Sequence, residues 1–107
     1  MFSVGYYHSN VLADIETWPV DVLADYARLV ELLVEHGPDL KLPYSRSMGQ
    51  GLFEMQPHGR SGTGRALYCF LLGRCVIVVH AFIKKTRQTL GRDLRIARKR
   101  VKELQHG

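Results

Sequence analysis

The sequence contains no apolar run of eighteen residues, the length a membrane-spanning helix needs, and its first residues show no basic start followed by a long apolar stretch. Membrane spanning and secretion are therefore not expected, and the cytoplasm is the default location. There are only two cysteines, Cys69 and Cys75. One lies within an apolar run and the other begins the next, which favours buried free thiols over a bridge. No set of Cys, His and acidic residues has metal-ligand spacing, so neither a metal nor another cofactor is expected. The glycine-rich stretch GRSGTGR (59–65) lacks the Lys-Ser/Thr ending of a phosphate-binding loop and the dinucleotide fingerprint. Basic residues are scarce at first: residues 1–45 hold two, against seven acidic ones, a net of −5.

The remainder of the chain reverses that balance. Residues 46–107 carry thirteen basic and three acidic residues, a net of +10, a concentration suited to a polyanion, RNA foremost. The same charge would also serve an acidic partner or simple solubility. With 107 residues, 46% hydrophobic and 23% charged, the chain is expected to fold as one domain, residues 1–107, with a true core.

FSVGYY (2–7) reads as a short strand and is followed by a polar stretch. From Pro19 to His36 the pattern predicts a helix, with Val20, Leu23, Ala27, Val30 and Val34 as its apolar stripe and Gly37-Pro38 as its stop. Residues 39–50 read as a loop, Leu52 to Gln56 as a strand and residues 58–64 as an exposed, mobile hairpin connection. RALYCFLL (65–72) and CVIVVHAF (75–82), joined at Gly73-Arg74, read as a central hairpin. Thr89 is a fitting cap for a final helix reaching Gln105, with Leu90, Leu94, Ala97, Val101 and Leu104 inward. The predicted class is α+β: a small antiparallel-rich sheet packed by helices.

Cutting RNA at the 2′-hydroxyl needs a base, an acid and cations around the phosphate, and no metal. The second half supplies such groups on or beside its strands: Arg46, Glu54, His58, Arg60, Arg65, Tyr68, His80, Lys84, Lys85 and Arg87. Strand alternation allows several of them to share one sheet face. His80, between Val79 and Ala81, reads either as a satisfied core histidine or as a ligand-facing one. Glu54 reads as a proton-transfer group or as a salt-bridge partner of Arg65, and Arg65 is the strongest phosphate-contact candidate. On the last helix, Arg95, Arg98 and Lys99 suit RNA phosphates, a protein partner or solvent.

GQGLFEMQ (49–56), GRALYCF (64–70), VVHAFIKKTRQT (78–89) and the basic helix DLRIARKRVKEL (93–104) together resemble the phage-derived, HigB-like branch of the RelE/ParE toxin superfamily. The likeness extends over nearly the whole chain, and HAFIKKT is its most specific piece. It implies a RelE/ParE-like fold, a helix-turn-helix antitoxin partner, operator DNA reached through the antitoxin complex, and metal-independent cleavage of messenger RNA on the ribosome. By resemblance Arg65, Tyr68, His80 and the paired Lys84 and Lys85 correspond to site residues of the family. With Glu54 added from the residue reading, Arg65, Tyr68, His80, Lys84 and Glu54 are the expected catalytic set, and Arg46, Arg60, Lys85, Arg87, Arg95, Arg98 and Lys99 the expected RNA contacts. The chain departs from the family where Glu-Leu-Arg is common and Glu54-Met55-Gln56 stands instead, an amide replacing a guanidinium. That departure keeps open an antitoxin-binding, operator-regulating protein without catalysis; a gyrase-directed relative within the same superfamily is a third reading.

Overall fold

The two apolar runs of the second half become the centre of a mixed six-stranded sheet. The computed structural model describes residues 1–84 and 91–106. Its elements are β1 (Ser3–Tyr6), α1 (Ser9–Glu16), α2 (Val20–His36), a 3-10 turn (Gly37–Asp39), β2 (Arg46–Gly49), β3 (Leu52–Met55), β4 (His58–Gly59), β5 (Gly62–Leu71), β6 (Cys75–Ile83) and α3 (Gly91–His106). The strand order is β1-β6-β5-β3-β2, with β4 pairing on β5. All pairings are antiparallel except that of β1 with β6, which is parallel.

Period-two alternation divides the sheet between two cores. One face carries Met55, Ala66, Tyr68, Val76 and Val78 and is covered by Val11, Ile15, Val22, Tyr26, Leu29 and Leu33 of α1 and α2. The other carries Leu52, Leu67, Cys69 and Val79 and is covered by Ala97 and Val101 of α3. Burial on both faces explains why β5 and β6 read as nearly continuous apolar runs.

Several expectations are corrected. The polar stretch after β1 contains α1, whose N-cap is His8: its Nδ1 accepts from the Asn10 backbone N–H. This helix buries one i, i+4 pair, Val11 and Ile15, too little to establish a period by itself. The predicted loop 39–50 ends in β2, an exposed strand without apolar alternation. In α2 the buried stripe is Val22, Tyr26, Leu29 and Leu33, and Val20 is 86% exposed. So many of its residues are apolar that the pattern fixes the period but not the phase. Tyr26 turns inward because its hydroxyl meets that of Tyr6 at 2.7 Å; burial, reinforced by Tyr6, pushes the phenol well above its ordinary value.

Gly37 stops α2 as expected, at φ 55°, and a side chain there would run into the Phe2 ring. The connection at 58–61 is docked on α2, where Asp25 Oδ2 accepts from His58 N–H at 2.7 Å and Asp21 Oδ2 from Ser61 N–H at 2.8 Å. Cys69 is buried and Cys75 half-buried, both as free thiols. The expected Thr89 cap and Leu90 contact lie outside the described residues. No described helix is long and apolar enough to cross a membrane.

Candidate active site

The polar end of the α3 face begins with register. Glu54 pairs across β3 and β5 with Leu67, and across β2 and β3 with Arg46, so Arg46 and Glu54 share the face that Leu67 occupies. Arg65, two residues before Leu67, lies on that face as well and is opposite Phe82 on β6. Alternation thus brings Arg46, Glu54 and Arg65 together, past the apolar stripe of α3.

Glu54 is 2% exposed, and a buried carboxylate must be neutralised and hydrogen-bonded. Three donors reach it. The Arg65 guanidinium pairs with Oε2, while Arg46 Nη2 lies 3.3 Å from Oε1 and Gln56 Nε2 donates to Oε1 at 2.8 Å. Arg65 is itself mostly buried, its guanidinium 5.8 Å from the centre of the Phe82 ring. Its Nε has no acceptor among the described residues. Arg46 is half exposed. A cavity of about 220 Å³ opens beside Arg46, Glu54 and Gln56. Two guanidiniums beside one carboxylate leave a net positive charge at this end of the sheet, and the planar guanidinium is a group suited to pairing with phosphate oxygens.

His80 reaches the same face through a register shift. Leu67 pairs with His80 but Tyr68 pairs with Val78, so Val79 is the extra residue of a β-bulge. Without the bulge, alternation would send His80 toward α1 and α2. With it, Val79 and His80 both face α3, and His80 becomes a diagonal neighbour of Arg65. The bulge carbonyl of Val79 accepts from Arg100 Nη1 at 2.6 Å, and that guanidinium also lies over the Tyr7 ring at 4.7 Å. His80 Nε2 is 2.6 Å from Asp93 Oδ1, in the first turn of α3. The Asp93 bond leaves Nδ1 of His80 as the nitrogen available for proton transfer.

The other predicted site residues are placed as follows. Lys84 is exposed just beyond β6, its backbone N–H bonded to the Thr63 carbonyl. Arg60 is exposed in the turn between β4 and β5, and Arg95 and Lys99 are exposed on α3. Arg98 is committed to backbone, donating to the carbonyls of Met48 at 2.8 Å and Gly49 at 3.1 Å. His58 Nδ1 lies 3.1 Å from the Thr63 hydroxyl, apart from the cluster. Tyr68 does not join the cluster. It faces α1 and α2, 1% exposed and stacked on Phe53, and its hydroxyl bonds Ser45; burial raises its phenol, with the Ser45 bond opposing. Lys85 and Arg87 lie outside the described residues. Among the described residues no group of three or more His, Cys, Asp or Glu side chains could hold a metal.

Sequence reasoning missed Asp93, Arg100 and Ser45. Asp93 could have been found as the acidic residue of a helical first turn. Nothing local marks Ser45, or marks Arg100 as the partner of a bulge.

Among curated proteins no sequence matches the chain. Among solved structures, it is similar to a chain of the archaeal RelE-RelB complex from Pyrococcus horikoshii OT3, with TM-score 0.57 and 14% identity over 81% of this chain and 98% of that one. The likeness is one of fold. The model of a protein family, described as phage derived protein Gp49-like (DUF891), matches residues 13–102. That span includes Arg46, Glu54, Arg65, His80 and Asp93 and most of both cores, and the chain belongs to the phage derived protein Gp49-like family.

Proposed function

We propose that this protein is the toxin of a type II toxin-antitoxin system, of the HigB-like kind, and that it cuts ribosome-associated messenger RNA in the cytoplasm by attack of a 2′-hydroxyl. The carrying observation is the convergence of Arg46, Glu54 and Arg65 with the His80–Asp93 pair on one sheet face. Family membership and a fold shared with the RelE-RelB complex support the same reading.

In this mechanism His80, oriented by Asp93, takes the 2′-hydroxyl proton at Nδ1. The 2′-oxygen then bonds to phosphorus and the bond to the 5′-oxygen breaks, leaving a 2′,3′-cyclic phosphate and a 5′-hydroxyl. Arg65 and Arg46 stabilise the charge that builds on the phosphorane, and Lys84 supplies the proton to the leaving oxygen. Glu54 holds the two guanidiniums; with three donors on it, it is better placed to orient than to accept a proton. The chemistry itself calls for no metal. The partner in this reading is a helix-turn-helix antitoxin, through which the complex would reach operator DNA.

The test is induction of the wild type and of Arg65→Ala, His80→Ala and Lys84→Ala, followed by mapping of RNA ends. Growth arrest relieved by the antitoxin and new ends bearing 2′,3′-cyclic or 3′-phosphate are expected from the wild type. Full cleavage by all three folded variants would sink the site assignment. A second reading, an antitoxin-binding protein without catalysis, is favoured by Gln56, whose amide sits on Glu54 where relatives of the resembled branch commonly carry an arginine. It predicts complex formation with no cleavage even on translating ribosomes.

A further inference from the structure

A second cavity, of about 280 Å³, opens on the other side of His80. It lies between α1 and α3, and the walls that matter are Tyr7, His8, Asn10, Asp14, His80 and Arg100. Its volume is just under the ~300 Å³ at which pockets for drug-sized ligands begin, a size for a single heterocycle. The chemistry of the walls narrows the ligand further. Arg100 gives one N–H to the Val79 carbonyl and lies over the Tyr7 ring, and the Tyr7 hydroxyl donates to Glu103, so both side chains are held in place, with further Arg100 N–H groups able to meet an acceptor on the ligand. Asp14 makes no ion pair among the described residues. A bare carboxylate repels phosphate and asks for a neutral ligand that presents N–H donors. His8 supplies the opposite group: its Nδ1 accepts the Asn10 backbone N–H at 3.1 Å, so the proton of the neutral ring sits on Nε2, a donor. The Asn10 amide can donate as well.

We propose that this cavity is a guanine subsite, holding the base of the nucleotide immediately 5′ to the cut. The inference rests on the ribonuclease reading, because it is His80 that ties the cavity to the attacking 2′-hydroxyl. Guanine alone among the four bases offers two adjacent donors, N1–H and the 2-amino group, to one carboxylate, with O6 left for His8 or Asn10. Adenine and cytosine would turn a ring-nitrogen lone pair toward Asp14, and uracil flanks its single N–H with two carbonyls. Unpaired RNA is read in this way, by splaying a base into a pocket and bonding its edge.

Two measurements test the subsite. In RNA-end mapping, wild-type cuts should show guanine enriched roughly tenfold at the 3′ end of the upstream fragment, the effect of one good bidentate contact. Asp14→Asn should lose that enrichment and move toward adenine, whose amino group and N1 match an amide. Glu35→Gln, on the exposed side of α2, should leave the pattern unchanged. In calorimetric titration, guanosine 3′-monophosphate should bind the wild type roughly tenfold more tightly than adenosine 3′-monophosphate, and Asp14→Asn should abolish the difference. Equal affinity for the two nucleotides, or a guanine preference that survives Asp14→Asn, overturns the subsite. If RNA is not cut but Asp14-dependent guanosine binding remains, the ribonuclease reading falls and the base site stands.

Discussion

At the scale of single residues, the fold places a charge in its buried interior. Glu54 is 2% exposed and held by Arg65, Arg46 and Gln56. Glu54→Gln would leave the mostly buried Arg65 guanidinium without its counter-charge, and unfolding in urea should show a loss of about 3 kcal/mol, typical of a broken buried pair. Replacing both partners, Glu54→Gln with Arg65→Met, should cost less than the sum of the single changes, because neither charge is then stranded. Strict additivity would mean that the two groups do not interact. This pair was one of two readings the sequence left open for Glu54, since strand parity alone does not set the register between β3 and β5. The placement of His80 was not legible in the sequence. Alternation read through Val79 sends it to the wrong face, and the bulge that corrects this depends on Arg100, twenty-one residues away. Arg100→Met removes the donor from the Val79 carbonyl, so a loss of about 1–3 kcal/mol is expected in the same assay. Under the proposed ribonuclease mechanism, RNA cleavage should fall with it as His80 loses its alignment.

At the scale of elements, the sequence exposed what is long and periodic and hid what is short. The β5–β6 hairpin and the extents of α2 and α3 follow from apolar runs and periodicity. By contrast α1, β2 and the parallel pairing of β1 depend on partners remote in the chain. The glycine-rich hairpin illustrates the difference. Its composition suggests mobility, yet two carboxylates of α2 hold its backbone. The Ser61 N–H holds the Asp21 carboxyl below its ordinary value of 3.8, against an opposing effect of desolvation. A carboxylate whose value is lowered on folding contributes stability above its unfolded value and loses it as pH falls through the folded one. Asp21→Ala should therefore destabilise the protein at neutral pH, and the gap from wild type should close as pH drops below about 3.8. Hydrogen exchange supplies the local reading: the Ser61 amide should lose protection in the variant. A gap that persists at pH 2 would show that Asp21 acts by packing, for instance against Gly59, where an added Cβ would lie 2.6 Å from its carboxylate.

At the scale of the whole molecule, the charge division of the sequence becomes a division of labour. Two of the seven acidic residues before Arg46 are used to dock the hairpin, and the strongly basic remainder of the chain is divided between fixed and free cations. Arg98 and Arg100 belong to the first kind, bonded to backbone carbonyls; Arg95 and Lys99 belong to the second, exposed on α3. Net charge cannot separate these groups, but salt can. Each phosphate neutralised on single-stranded RNA contributes about −0.7 to the slope of log affinity against log salt concentration. If Arg95 and Lys99 touch RNA, replacing both with alanine should weaken binding evenly across sequences and make the slope shallower by roughly 1.4. An unchanged slope, with weaker binding of the antitoxin instead, would assign this helix face to the protein partner. Arg98→Ala separates the two kinds of cation within one experiment. Its guanidinium is tied to the carbonyls of Met48 and Gly49, so the folding midpoint should fall, and a salt slope close to that of the wild type in the protein that remains folded would show that its charge meets no phosphate.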